Sequence, residues 1–268
     1  MPDFIKRDLT TACLCWRLVR ADGVALGFTT HDRDLAIGGL TYCAAPGMLP
    51  SAVSVSDEFD VDNVDVKGAL SSEAITAADM KAGRWDGAAL TIFMTDWEVP
   101  GVEILHVARG TLGEVSVTGE AFEAELRGPT AALDAAVVEQ TSPTCRASLG
   151  DQRCRVDMAK RVRLARVVSA DGAAVTLDVA EPATGAFGFG RLRWIGGANS
   201  GLESALRASD GAVVTLREPP AFVPVAGDLV EIGEGCDRRF ETCVARFANA
   251  ANFRGEPHLP GNDLLTRY

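Results

Sequence analysis

Four cysteines in the second half of the chain form two pairs whose thiols could bind a metal. They are Cys145 and Cys154, with eight residues between them, and Cys236 and Cys243, with six. Several thiolates gathered at one point repel one another, so burying them requires a cation. Sites with four sulfur ligands therefore usually hold zinc or an iron–sulfur cluster. The pattern predicts one metal-type site ligated by all four cysteines.

The spacing of the cysteines favours a cluster over a single ion. Paired zinc ligands usually have about two to four residues between them. The wider gaps here suit a larger object, although they match none of the common ferredoxin patterns. Neighbouring arginines would offset the negative charge of a thiolate-ligated cluster; they are Arg146, Arg153, Arg155, Arg238 and Arg239. Two alternatives stay open, namely four free thiols in the core and two disulfides formed after release from the cell.

The segment between the two cysteine pairs predicts a small β-domain that would bring the pairs together. Short apolar runs separated by glycine turns are typical of a barrel or a compact sandwich. Strands are expected at 162–168, 174–179, 190–195, 213–217 and 228–232. One cysteine pair precedes the first strand and the other follows the last. Because the chain ends of a compact domain commonly lie close together, the two cysteine-bearing loops can meet.

The first half of the chain also predicts mainly β structure. Two hairpins are expected around glycine turns, and a longer strand pair follows them. The expected strands are 14–20, 24–30, 35–37, 40–42, 88–97, 102–117 and 120–127, with short helices at 72–80 and 130–140. The predicted fold class is therefore mainly β with a minor helical part. A β-rich domain over 1–140 precedes a small C-terminal barrel or sandwich over 141–268, which carries the cysteine site and an extended tail.

Composition and charge exclude several classes of protein. The 268 residues are 47% hydrophobic and 24% charged, with a net charge of −11, the wrong sign for gripping a nucleic-acid backbone. We find no apolar run long enough to span a membrane and no signal-peptide pattern, so we expect folding in a reducing cytoplasm without a disulfide framework. The charge is uneven: residues 51–140 have 17 acidic and 5 basic side chains, whereas residues 145–167 have 2 and 7. This asymmetry indicates either solvated faces or a contact between copies of the chain.

Other candidates for chemistry are few. His31 lies in the polar loop 29–34, which could bind a metal or act in catalysis, but a turn stabilised by Thr and Asp side chains is the favoured interpretation. Cys13, Cys15 and Cys43 are interpreted as strand residues. No nucleophile elbow, phosphate loop or dinucleotide fingerprint is found in the sequence. We therefore expect no catalytic residues and a protein that is not an enzyme.

Several segments together resemble one family of phage-tail proteins. The Cys145–Cys154 segment contains Leu149-Gly150-Asp151, and Gly235-Cys236-Asp237 follows later with Cys243. The segment 247–263 contains Phe253-Arg254-Gly255 and Leu259-Pro260-Gly261, and the N-terminal segment 28–35 reads FTTHDRDL. In this order the motifs resemble the tail-tip or baseplate hub proteins of long-tailed phages and of phage-like gene transfer agents. The resemblance covers nearly the whole chain.

The resemblance implies a structural role in a virion or phage-like particle that is assembled in a bacterial cytoplasm. Hub proteins of this type form a ring, commonly a homotrimer, that joins the tail tube to the tip. The implied partners are the distal tail protein and other tail-tip or baseplate proteins. DNA would pass through the ring without being specifically bound, and no membrane insertion is expected.

The resemblance also bears on the cysteines. Related tail-tip proteins are thought to carry an iron–sulfur cluster, which would correspond here to a 4Fe-4S cluster on Cys145, Cys154, Cys236 and Cys243, with zinc as the alternative. Two other functions stay open. One is a thiol hydrolase that degrades cell walls at the tail tip, and the other is a zinc-binding interaction module.

Overall fold

The chain folds into two compact units, Met1–Val137 and Val138–Tyr268. The computed structural model describes residues 2–44, 49–50, 63–69, 76–118, 121–128 and 138–258. Both units are built mainly from β-strands. Within these described ranges, no helix combines the length and the apolar character needed to cross a bilayer.

The first unit contains one nine-stranded sheet. Its strands are β1 (Ala12–Val19), β2 (Ala25–Thr29), β3 (Leu35–Ile37), β4 (Leu40–Ala44), β5 (Leu49–Pro50), β6 (Asn63–Ala69), β7 (Ala89–Asp96), β8 (Ile104–Thr118) and β9 (Ala121–Arg127). Across the sheet their order is β3-β4-β2-β1-β7-β8-β9-β6-β5. Neighbours are antiparallel except for β2 and β4, which run parallel. A single-turn helix, α1 (Ala77–Lys81), precedes β7.

Strand β1 lies inside the sheet, between β2 and β7, and both of its faces are buried. Side chains alternate across a strand, so Trp16 and Leu18 share one face while Cys13 and Cys15 share the other. The first face joins an apolar cluster with Phe28, Met80, Trp85, Leu90, Ile92 and Leu112. The second joins a separate cluster with Leu35, Ile37, Tyr42 and Phe93. The sheet is thus packed on both sides along this strand.

The second unit is a closed six-stranded barrel. Its strands are β10 (Val162–Asp171), β11 (Ala174–Leu177), β12 (Arg191–Trp194), β13 (Glu203–Asp210), β14 (Val213–Leu216) and β15 (Leu229–Gly233). They follow the order β10-β11-β14-β13-β12-β15, and β15 pairs back with β10. Alternate strand side chains fill the interior together with Phe187 from the loop before β12; among them are Val167, Val175, Leu192, Trp194, Leu206, Val214 and Ile232. A two-turn helix, α2 (Phe240–Phe247), follows the barrel.

The predicted mainly β class is confirmed, and the second unit is a barrel rather than a sandwich. The strands expected from the sequence are all present, most with shifted ends, but β5, β6, β13 and α2 were not predicted. The helix expected at 72–80 is wrong in extent, because α1 begins only at Ala77, after an N-cap at Thr76, and residues 72–75 lie outside the described ranges. Most of the helix expected at 130–140 also lies outside them, and 138–140 are not helical. Of the expected extended tail, residues 253–258 are irregular and 259–268 are not described.

One end of the barrel is closed by a backbone contact that only glycine permits. The Gly235 N–H donates to the carbonyl of Ala186 at 3.0 Å, which ties the chain leaving β15 to the loop before β12. A Cβ atom at Gly235 would lie 2.0 Å from the Gly188 carbonyl oxygen and 2.0 Å from the Gly190 nitrogen. Both obstacles are backbone atoms, so no side-chain rotation can relieve the clash.

We therefore expect Gly235→Ala to destabilise the protein by about 3 kcal/mol, because the overpacked backbone must shift. Gly172→Ala is the matched control, since Gly172 sits in an open turn with φ +54, where a Cβ atom would meet no other atom within 4 Å. Its expected cost is only about 1 kcal/mol, from the left-handed backbone. Urea unfolding of both variants measures the difference, and equal losses would contradict the close backbone contact at Gly235.

Candidate metal centre

The pairing of β10 with β15 brings the two cysteine segments to the same place. Val162, at the start of β10, pairs with Gly233, at the end of β15. The chain entering the barrel and the chain leaving it therefore run side by side. The entering segment carries Cys145 and Cys154, and the leaving segment carries Cys236 and Cys243.

All four cysteines line one cavity in the second unit. Cys154 and Cys243 are buried, whereas Cys145 and Cys236 are partly exposed. The cavity has a volume of about 20 Å³, roughly the space of one water molecule. Its remaining wall is mostly apolar and includes Ala147, Leu149, Val156, Phe247 and Phe253. Over the described ranges, no three His, Cys, Asp or Glu side chains stand where they could hold a metal ion, so metal binding by these cysteines stays a prediction.

The loop between Cys145 and Cys154 is organised by the carboxylate of Asp151. This carboxylate accepts hydrogen bonds from the backbone N–H groups of Ser148 at 2.9 Å, Arg153 at 2.9 Å and Cys154 at 2.6 Å. These bonds, first of all the one from Cys154, lower the pKa of Asp151 below its usual value. The Asp151 side chain therefore fixes the backbone of this loop up to the second cysteine, Cys154.

The loop between Cys236 and Cys243 is organised in the same way by Asp237. One carboxylate oxygen accepts the Arg239 N–H at 3.0 Å, and the other accepts the Thr242 hydroxyl at 2.9 Å. Helix α2 begins directly afterwards and carries the buried Cys243 in its first turn. An acidic residue in each loop thus sets the backbone course between two thiols.

Three of the four cysteine sulfurs accept a hydrogen bond from an N–H group. The backbone N–H of Arg238 points to the Cys236 sulfur at 3.4 Å, and that of Arg254 points to the Cys145 sulfur at 3.3 Å. The side-chain amide of Asn249 lies 3.7 Å from the Cys154 sulfur. Such donors stabilise a thiolate, and hydrogen bonds to ligand sulfurs are among the groups that tune a metal–thiolate site.

Asn249 connects the two cysteine segments directly. Its side-chain N–H₂ donates to the Cys154 carbonyl at 2.6 Å, and its backbone N–H donates to the Cys243 carbonyl at 3.1 Å. Its own carbonyl accepts the Cys243 thiol at 3.4 Å. Its side-chain oxygen accepts the amide of Asn252 at 2.7 Å. The residue belongs to the C-terminal motif, but nothing in the sequence indicates these contacts.

The C-terminal segment is clamped onto the first cysteine loop. The guanidinium of Arg146 donates to both oxygens of Glu256, at 2.7 and 2.9 Å. The backbone N–H of Ser142 donates to the same carboxylate at 2.8 Å. These donors, with Arg146 as the largest contributor, lower the pKa of Glu256 to about 2. A further backbone bond, from the N–H of Cys145 to the carbonyl of Arg238 at 2.8 Å, ties the same loop to the second pair.

The thiols influence one another electrostatically. Burial raises the pKa of Cys236 and of Cys243, and the nearby sulfurs of the other cysteines raise both further. These two thiols therefore keep their protons at neutral pH unless a cation is present. Binding of a metal would release protons, as is usual for thiolate sites.

The arginines expected to offset cluster charge have divided roles. Arg146 and Arg153 both form ion pairs with Glu139, and Arg146 is also bound to Glu256. Their charge is therefore already balanced within the protein. Arg238 and Arg239 line the cysteine cavity, so these two are placed as the prediction requires. Arg155 lies in a neighbouring cavity.

The remaining candidates all lie in the first unit. His31 forms part of a turn, because its backbone N–H donates to the Thr29 hydroxyl at 3.2 Å and its Nδ1 accepts the Arg33 N–H at 3.1 Å. The turn favoured from the sequence is thus present. Cys13 and Cys15 are buried within β1, whereas Cys43 is exposed on β4.

Comparison with known proteins gives matches to both units. Residues 1–157 match the family described as "Baseplate hub protein, N-terminal attachment domain". Residues 185–263 match the family described as "Phage conserved hypothetical protein BR0599". Among solved structures, a chain of the "Virion of native gene transfer agent (GTA) particle" is 41% identical, with a TM-score of 0.87, over 99% of this chain and 94% of that chain. No curated protein sequence matches the chain significantly.

Replacing Asn249 should loosen both cysteine segments. Asn249→Ala leaves the Cys154 carbonyl without its donor, so we expect a loss of about 1–2 kcal/mol in the free energy of unfolding. Faster alkylation of Cys154 and Cys243 under reducing conditions should accompany it. Ser204→Ala is the control, because it removes a comparable hydrogen bond, from the Trp194 indole N–H at 3.0 Å, that lies in the barrel and reaches no cysteine segment. Thiol alkylation rates that are the same in both variants would show that Asn249 does not hold the two segments.

Proposed function

The chain belongs to the family of baseplate hub proteins, and from this premise we propose that it is a structural component of the tail tip of a phage-like particle. The observation that carries the proposal is the 41% identity, over nearly the whole length of both chains, to a chain of a gene transfer agent virion. At that level of identity over both units, the likeness extends beyond a shared fold. A structural hub role is non-enzymatic, and the buried, strand-borne Cys13 and Cys15 are poorly placed for a thiol hydrolase.

The first unit would attach the protein to its neighbours in the tail. The family match to an attachment domain covers this unit and continues to residue 157, so it includes the Cys145–Cys154 loop. We propose that several copies, three in the simplest case, form a ring that joins the tail tube to the tip. The distal tail protein and other baseplate proteins would be its partners. The net charge of −11 would let DNA pass without adhering to the ring.

We further propose that Cys145, Cys154, Cys236 and Cys243 hold an iron–sulfur cluster, with four irons as the form expected. The donor set supports this, because four thiols line one apolar cavity and three sulfurs receive N–H groups. When bound, the cluster would supply iron–thiolate bonds between the segment that enters the barrel and the segment that leaves it. A cluster is larger than the 20 Å³ cavity, so the loops would have to separate, which the partly exposed Cys145 and Cys236 permit more readily than the buried pair.

The hub proposal predicts a location. An epitope-tagged copy of the chain should be incorporated into purified particles, and immunogold labelling should mark the tail tip. Loss of the gene should yield tails that lack the tip, because the joining component is missing. Labelling along the whole tube or on the head, or complete tails in its absence, would contradict the proposal.

The cluster proposal predicts iron and sulfide in anaerobically purified protein, about four of each per chain. Cys154→Ser and Cys243→Ser should lose most of the iron and the visible absorbance, since each removes a ligand. Cys43→Ser is the matched control, because Cys43 is an exposed cysteine of the first unit, and its iron content should be unchanged. Stoichiometric zinc without sulfide would refute the cluster and support a zinc-binding module, while leaving the hub role intact.

A further inference from the structure

A second, larger cavity lies beside the cysteine cavity and is lined by positive charge. It has a volume of about 480 Å³, within the range of ligand-binding pockets. Its wall contains four cationic side chains, namely Arg155, Lys160, Arg161 and Arg163. We refer to it as the basic cavity. It lies within the second unit of a chain whose net charge is −11. The cations of the cavity wall are therefore opposite in sign to the net charge of the chain.

Three of the four cations of the basic cavity form no ion pair within the part of the chain that the structure describes. Glu234 is buried and accepts the guanidinium groups of Arg161 and Arg246, both at 2.8 Å. This carboxylate is therefore already shared between two cations. Arg155, Lys160 and Arg163 are exposed and form no ion pair with any carboxylate in the described ranges. Asp157, the other acidic residue of the wall, uses a carboxylate oxygen to accept the Ala159 N–H at 3.0 Å.

The backbone at Arg155 adopts a conformation that is unusual for an arginine. Its φ is +61, in the left-handed region, which costs an L residue about 1–2 kcal/mol. Glycine would adopt this conformation without that penalty. An arginine here contributes a guanidinium to the cavity wall at the expense of backbone strain, and strain of this kind concentrates at functional sites.

The floor of the basic cavity suits a peptide better than a simple ion. Phe247, Pro182 and Val156 provide apolar surface. The guanidinium groups of Arg161 and Arg246 lie 4.9 and 5.0 Å from the centre of the Phe247 ring, which fixes the ring in place by cation–π contact. Apolar surface flanked by unpaired cations is complementary to a segment that carries carboxylates and some apolar side chains.

We propose that the basic cavity binds an acidic segment of a partner protein. Nucleic acid is disfavoured as the occupant, because the net charge of −11 repels a polyanion at long range and the cations form one cavity instead of a track. The identity of the partner as a tail-tip protein rests on the proposed hub function. The binding of an acidic peptide by the basic cavity does not depend on that function, so the two proposals can fail separately.

The test uses the full-length chain and a fluorescein-labelled polyglutamate peptide, with fluorescence anisotropy as the readout. We expect saturable binding that weakens with added salt, and no binding of a polyglutamine peptide of equal length. Lys160→Gln combined with Arg163→Gln should weaken binding about tenfold. Arg207→Gln combined with Arg217→Gln is the matched control, because both arginines are exposed on the same barrel outside the cavity wall, and it should change the affinity less than about twofold.

Arg155→Gly separates binding from folding. It removes a cation and relieves the left-handed strain, so peptide binding should weaken severalfold while the melting temperature stays the same or rises.

Equal losses in the cavity and control variants would overturn the proposal, as would tighter binding of a DNA oligonucleotide of equal charge. Binding to the wild-type chain that inorganic phosphate abolishes at low concentration would also overturn it, since the cavity would then be a site for small oxyanions. A negative result would leave the particle-labelling experiment unaffected.

Discussion

The antiparallel contact between β10 and β15 is the constraint on which the cysteine site depends. A sheet that closes on itself must place its first and last strands side by side, and here Val162 and Gly233 are direct neighbours. Cysteines that are far apart in the sequence therefore emerge at one end of the barrel. The glycine contacts around Gly235 keep that end compact. Without closure of the barrel, no local feature of either loop would bring the two pairs together.

The sequence predicts those parts of the fold that depend on local patterning. Hairpins appear where glycine turns separate alternating runs, as around Gly23 and Gly38. Strand β13 could not be recognised because its only fully buried apolar residue is Leu206, and the rest of the strand faces outward or is small. Helix α2 is too short for its periodicity to stand out. The meeting of the cysteines follows from their position around the barrel, whereas the bonds of Asn249 depend on three segments folding together and leave no trace in the sequence.

Positive charge serves two separate purposes in the second unit. Arg146, bound to Glu256 and Glu139, holds the C-terminal segment against the first cysteine loop. Arg161, bound to Glu234, supports the floor of the basic cavity. The cluster of basic residues that stands out between positions 145 and 167 is thus divided between internal clamps and an open wall. The cysteine cavity and the basic cavity share Val156, Phe247 and Asn249, so the packing that shapes one also shapes the other.

The two edges of the nine-stranded sheet are formed by its shortest strands. Strand β3 has three residues and β5 has two, one of them Pro50, which lacks an amide hydrogen. Sheet edges of ordinary length offer a row of free backbone groups with which another chain can pair, and such pairing leads to fibrils. These edges offer too few groups for that. Pairing of one copy's sheet with another along β3 or β5 is therefore disfavoured, so contacts between neighbouring molecules at these edges must come from side chains and loops.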